Sequence, residues 1–304
     1  MITKNQYFIG TCSWTDKTLL ESGFYPKQVK SSEQRLRYYA ARFNTVEIDS
    51  IFYALPSLRN VLNWIERTPQ DFLFGVKAFS LFTVHQTPWK TLPLTLQDAL
   101  PQKLKSKDII FWKECSFEFQ KEVVHYFSSL LLPMLEAGKL GYLLFQLPPW
   151  FSKTSENMEH LSRLRESFAP FPIAIEFRNR SWLKSKEEAR HTFSFLRKNQ
   201  MSYVAVDEPQ LPWTVPPMLE VTSPTMVIRF HGRNSAAWQK KNATVWERFN
   251  YFYTREELST WSRVIQEKSK SANPERIFVM FNNCFRDYAI RNAQMMQELL
   301  FQNL

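Results

Sequence analysis

A single-domain α/β fold, the (β/α)8 barrel, is the class this sequence predicts, and three observations predict it. Short apolar runs recur through all 304 residues, each followed by polar or turn residues and then a stretch of helical composition, which is the βαβ alternation. Their number, about eight, is the number that closes a barrel. No G-x-G-x-x-G or G-x-x-x-x-G-K-[ST] follows any run, so the phosphate loops of an open doubly wound sheet, the competing architecture, are missing.

In chain order the expected strands are Tyr7 to Cys12, Thr45 to Ile48, Phe72 to Val76, Gly141 to Phe145, Ile173 to Phe177, Tyr203 to Val206, Met226 to Phe230 and Arg276 to Phe281. Between them Ser32 to Arg42, Leu58 to Arg67 and Glu187 to Lys198 suit helices by composition and length. The third connection, Phe79 to Leu140, is too long for a plain crossover. Its second half, Ser116 to Ala137, reads as the helix, and the stretch before it, with Pro88, Pro93 and Pro101, reads as a long irregular loop. A second long loop, Glu208 to Thr225, follows the sixth strand and holds five prolines and Trp213. Nothing divides the chain, so 1–304 is expected to be one domain.

Composition narrows the classes of function. Hydrophobic residues make up 44% and charged residues 22%, a balance that fills a core rather than a disordered chain. The first residues lack a signal-peptide pattern, and no run of about 18 apolar residues occurs, so a cytoplasmic chain without a membrane partner is expected. Cys12, Cys115 and Cys284 are widely spaced without a C-x-x-C pair, which fits reduced thiols. The net charge of +10 keeps nucleic acid open as a partner, although the lysines and arginines are scattered and suit solvated helix faces. Oligomeric state is not legible in the sequence.

The chemistry is concentrated where the apolar runs end. Nearly every run stops in an ionisable or amide side chain: Glu47 and Asp49, Lys77, Gln146, Glu176 and Arg178, Asp207, Arg229 and His231, Asn282 and Asn283. Residues two apart on a strand share a face, so Glu47 with Asp49, Glu176 with Arg178, and Arg229 with His231 point together. Barrel enzymes assemble their sites from just such strand ends. The same ring has a structural explanation, a buried ion-pair layer closing the barrel.

Taken as a site, Glu47, Glu176, Asp207 and His231 are the proton-handling candidates, because carboxyl and imidazole groups in a partly dry pocket tune towards neutral pH. Lys77, Arg178 and Arg229, with Gln146 and Asn282, would orient an anionic or polar substrate. No metal ligand is assigned: a divalent ion is open but disfavoured by three cations in the ring, and no cofactor motif is present. Cys12 and Cys284 lie near strand ends, where an inert buried thiol is the commoner case. The segments Phe24-Tyr25-Pro26, Phe52-Tyr53 and Trp150-Phe151 offer rings that stack on a flat ligand or pack in the core. Basic and aromatic residues interleave from Trp238 to Tyr253.

The motifs Gly10-Thr11-Cys12-Ser13-Trp14, Thr45-Val46-Glu47-Ile48-Asp49 with Phe52-Tyr53, and Phe74-Gly75-Val76-Lys77-Ala78 with Thr83-Val84-His85 open a collinear series. It continues with Gln146-Leu147-Pro148-Pro149, Glu176-Phe177-Arg178 with Ser181-Trp182, Asp207, Arg229-Phe230-His231-Gly232 and Phe281-Asn282-Asn283. In these the chain resembles the YecE-like family, domain of unknown function 72, along nearly its whole length. The resemblance implies a TIM-type barrel and no established activity. It adds His85, through its T-x-H pattern, to the ligand-binding candidates, beside Trp14 and Tyr53. Asp49 departs from it, since Asn is usual at that place.

Three functions follow as expectations: an enzyme using acid/base chemistry on a small polar, anionic or sugar-like metabolite at the C-terminal face; a nucleic-acid-binding or nucleic-acid-processing protein; and a non-catalytic barrel scaffold.

Overall fold

The structure, a computed structural model, describes residues 3–302. Eight parallel strands close a barrel in chain order: β1 Tyr7–Thr11, β2 Thr45–Ile48, β3 Leu73–Lys77, β4 Leu140–Gln146, β5 Ile173–Glu176, β6 Ser202–Asp207, β7 Thr225–Phe230 and β8 Arg276–Phe281. The last strand returns to the first in a continuous register from Tyr7 against Ile277 to Thr11 against Phe281. Nearly every strand residue is buried, because side chains inside the barrel and helices outside cover both faces.

The outer layer, numbered here without the short helices of the loops, comprises α1 Ser32–Ala40, α2 Leu58–Glu66, α3 Phe117–Glu136, α4 Ser155–Ser167, α5 Lys186–Lys198, α6 Arg255–Ala272 and α7 Tyr288–Phe301. Most start the same way. Ser31, Ser57, Ser116, Thr154, Ser185 and Thr254 each accept the backbone N–H three residues on with a side-chain oxygen. Each such cap satisfies one donor that the first turn leaves unpaired, worth about 1 kcal/mol. The helices expected from sequence therefore begin within a residue of where composition placed them.

Two connections give the barrel its asymmetry. Between β3 and α3 the expected irregular loop is ordered: Thr87–Pro88 pairs antiparallel with Ile109–Ile110, and short helices run over Leu94–Ala99 and Gln102–Lys105. Leu92, Leu96, Leu100 and Leu104 are all buried. Their spacing of four is helical, and Pro93 and Pro101 cut it into short pieces by denying the backbone N–H that a longer helix needs. Between β6 and β7 no helix forms among residues 208–224, whose prolines hold an extended path.

Inside the barrel, side chains alternate in and out along each strand. Phe8 of β1 stacks on Phe278 of β8, and Tyr142 of β4 meets the same ring edge-on. Gly75 of β3 leaves the room Tyr142 fills: a Cβ there would lie 2.5 Å from the Tyr142 ring.

Candidate functional site

Register decides which strand-end side chains enter the barrel. Arg229 pairs with Met280 and with Val206, whereas Phe230, one residue on, pairs with Phe281 and with Asp207. Arg229 therefore points inwards and Phe230 outwards, and each neighbour follows suit. By the same parity Glu47 lies beside Gly75, and Gln146 beside Glu176.

Arg229 is the hub, with no exposed surface. Its Nη2 donates to Glu47 Oε1 at 2.5 Å and to Cys12 Sγ at 3.5 Å. Its Nη1 donates to Glu176 Oε2 and to Gln146 Oε1. Tyr142 Oη donates to the other oxygen of Glu47 at 2.7 Å. Glu176 Oε1 accepts from Arg178 Nη1 at 3.0 Å and lies 3.1 Å from His231 Nε2. Asn282 Nδ2 lies 2.9 Å from His231 Nδ1.

The electrostatics follow from this geometry. Burial opposes charge on Glu176 and Glu47, but the Arg229 guanidinium overrides it and holds both carboxyls below their usual range, Glu176 well below. Burial takes His231 down to about 4, so its ring is neutral at pH 7. An ionised Glu176 can only accept, which assigns the proton to Nε2 and leaves Nδ1 to accept from Asn282.

Two carboxyls at the edge of this network are tuned the other way. Burial and the adjacent Glu47, to which the protonated Asp49 carboxyl donates, push Asp49 up to about 8, with its Oδ1 4.0 Å from Arg229 Nη2. Burial raises Glu208 to about 7, although Arg178 Nη2 lies 2.7 Å from its Oε2 and opposes the shift.

Above the network stands an aromatic rim. Lys77 Nζ sits 4.4 Å from the centre of the Phe52 ring. Tyr53 and His85 both meet Phe52 edge-on at 5.1 Å, and Trp150 meets His85 at 5.7 Å. Tyr53 is 65% and Trp150 62% exposed. Burial and the charge of Lys77 bring His85 down to about 4.

A model of the family described as protein of unknown function DUF72 matches residues 8–304. The chain belongs to the DUF72 family. It is 32% identical to the UPF0759 protein YunF of Bacillus subtilis over 298 residues, 96% of this chain and 94% of YunF. The UPF0759 protein YecE of Escherichia coli is 37% identical over 70 residues, 23% of this chain and 22% of YecE. Among solved structures, a DUF72 protein of Enterococcus faecalis superposes with a TM-score of 0.79 at 30% identity, covering 98% of this chain and 96% of that one. A DUF72 protein of Thermotoga maritima does so with a TM-score of 0.75 at 30% identity, covering 97% and 99%.

Within this DUF72 barrel, the ring expected from sequence assembles from Glu47, Gln146, Glu176, Arg178, Arg229, His231 and Asn282, with Lys77, His85 and Tyr53 on the rim above. It is a packed floor more than an open cleft, since Glu47, Glu176, Arg229 and His231 have no exposed surface. Two candidates do not join it. Asp207 faces the helix layer, where its carboxylate accepts from Arg233 at 2.8 and 2.6 Å, Tyr253 Oη at 2.6 Å and Trp261 Nε1 at 2.7 Å. Trp14 packs edge-on against Trp64 of α2 at 6.2 Å and is buried.

Glu208 and Tyr142 belong to the assembly but were absent from the expected site, and Asp49, expected beside Glu47, had been given no role there. The signal for Glu208 was parity: Val204, Val206 and Glu208 share a face, and Asp207 does not. Among the described residues no group of three or more His, Cys, Asp and Glu converges as a metal would require. Burial pushes the Cys12 thiol well above its usual range, keeping it protonated beside Arg229.

Proposed function

We propose that the mouth of the barrel carries out acid/base chemistry on a small polar metabolite, anionic or sugar-like. One arrangement carries the reading: four carboxyls, Glu47, Asp49, Glu176 and Glu208, gather around the Arg229 and Arg178 guanidiniums, and their surroundings tune them apart, Glu47 and Glu176 held ionised, Asp49 and Glu208 raised to about 8 and about 7. Groups whose surroundings push their pKa values apart are how one site holds an acid and a base at the same pH. In this reading Arg229, Glu47, Glu176 and His231 form a rigid charged floor, the part-exposed Asp49 exchanges protons, the buried Glu208 does so once its partner Arg178 turns to the substrate, and Lys77 orients the substrate with Arg178.

The test is a thermal-shift screen of a metabolite panel, followed by turnover assays on compounds that stabilise the protein. Glu208→Gln keeps the shape while replacing one of the oxygens that face the Val215 N–H and Arg178, and is expected to lower turnover at least about a hundredfold, the usual worth of a positioned acid or base. Asp49→Asn keeps the shape of the side chain and is expected to leave the floor intact and to shift the pH profile. A panel with no stabilising compound sinks the proposal.

A nucleic-acid reading draws on Trp150, Trp213 and Trp246, which stand exposed in the loops after β4, β6 and β7. Its basic and aromatic segment is largely committed internally, however. Arg178 covers the Trp238 ring at 5.0 Å, and Lys240 pairs with Glu247 at 2.6 Å. Binding to an oligonucleotide that weakens steeply with added salt and depends on Trp213 or Trp246 would favour it.

A further inference from the structure

The rim chemistry narrows the class of substrate. We propose that Phe52, Tyr53, Lys77, His85 and Trp150 form a subsite for a sugar ring bearing an anionic group, phosphate or carboxylate. This rests on the acid/base reading of the mouth and specifies what the mouth takes.

Lys77 is the first reason. Only 8% of the residue is exposed, and its ammonium has no hydrogen-bond or ion-pair partner among the described residues, only the face of Phe52. An ammonium held at the rim with its donors unused is placed to meet a ligand. An anionic oxygen arriving at the rim supplies the missing acceptor, and the ring behind it strengthens the pairing by excluding water.

His85 is the second. Thr83 Oγ1 donates to Ser80 O at 3.1 Å, so it meets His85 Nδ1 at 2.8 Å as an acceptor. That assigns the His85 proton to Nδ1 and leaves Nε2 with a lone pair and no partner among the described residues, an acceptor suited to a hydroxyl. The segment presenting it is strained: Val84 has φ 56°, in the left-handed region that a β-branched side chain rarely enters. Such strain persists where surrounding structure enforces it and clusters at functional sites.

The third reason is the arrangement of rings. Tyr53 and His85 meet Phe52 at 84° and 83°, and Trp150 meets His85 at 67°. These pairs form corners and offer no parallel slot for a flat base. A corner of ring faces and edges suits the C–H face of a puckered ring, with its hydroxyls left to a bare imidazole nitrogen and an ammonium.

Calorimetric titration of the full chain with pentose and hexose phosphates, the corresponding sugar acids, the unsubstituted sugars, AMP and inorganic phosphate tests the assignment. At least one sugar phosphate or sugar acid should bind about tenfold or more tighter than its neutral sugar and than phosphate alone, the scale of a charge-assisted hydrogen bond. The phosphate and carboxylate arms identify which anion is taken. Lys77→Met should remove that preference, whereas Trp150→Ala should weaken every sugar, charged or neutral. Trp150 is largely exposed, so its variant retains the fold, and thermal unfolding checks both.

Failure of every anionic sugar to bind, equal binding by wild type and both variants, or tighter binding of AMP would overturn the sugar assignment. If another class of metabolite then binds and is turned over in a Glu208-dependent way, the acid/base reading survives without it. If no compound does, both fall.

Discussion

Arg229 answers for both of its buried carboxylates, and each of them answers for it. Removing one partner of such a group strands the others in a low-dielectric interior, which costs about 3–5 kcal/mol. Arg229→Met is therefore expected to destabilise the protein by about that much in urea unfolding, with Glu176→Gln milder because the amide still occupies the site. The pH response combines contributions of opposite sign. His231 stays neutral down to about 4 when folded, while the unfolded imidazole takes its proton near 6.5, so stability falls as pH drops between those values. Glu176, folded well below its usual range, adds a further loss at lower pH. Asp49 and Glu208 keep their protons to about 8 and about 7 when folded but ionise near about 4 when unfolded, so both withdraw stability as pH rises from about 4 to those values. Urea midpoints measured from about pH 5 to 9 should therefore fall as pH rises towards about 8, and Asp49→Asn should lessen that fall.

At the scale of elements, Asp207 ties the end of β6 to α6 through Trp261 and to the loop after β7 through Arg233 and Tyr253. Asp207→Ala leaves buried donors without acceptors, at about 3 kcal/mol, and should lower the unfolding midpoint without altering ligand affinity. An equal loss of ligand binding would return Asp207 to the site. Gly75 couples β3 to β4 by omission. Gly75→Ala would press a methyl group into the Tyr142 ring and disturb its bond to Glu47, a strain of about 1–3 kcal/mol visible in thermal unfolding. These element-level roles were poorly legible in the sequence. Asp207 and Glu208 are adjacent acids at one strand end, and only the register of β6 against β7 tells which one enters the barrel. The leucines of the β3–α3 connection did carry a readable signal, their spacing of four, which the neighbouring prolines masked.

Across the whole molecule the positive charge is spread over helices and loops, and much of the mouth's own cationic charge is neutralised by Glu47, Glu176 and Glu208. Any affinity for a polyanion should then fall steeply with added salt and be indifferent to Lys77→Met, unlike binding of an anionic sugar. Salt titrations of both ligands against wild type and variant separate the two. Among the described residues no helix is long and apolar enough to cross a membrane. The eight strands, the capped helices and the concentration of polar groups at strand ends were all readable from the chain, because each depends on neighbours within a few residues: apolar period, a Ser or Thr before a helix, a proline that stops one. Which of those polar groups meet was settled only by closure of the barrel. Closure sets register, register sets which face each side chain takes, and that brought Glu47, Glu176 and Arg229 together from distant parts of the chain while turning Asp207 and Trp14 into the walls.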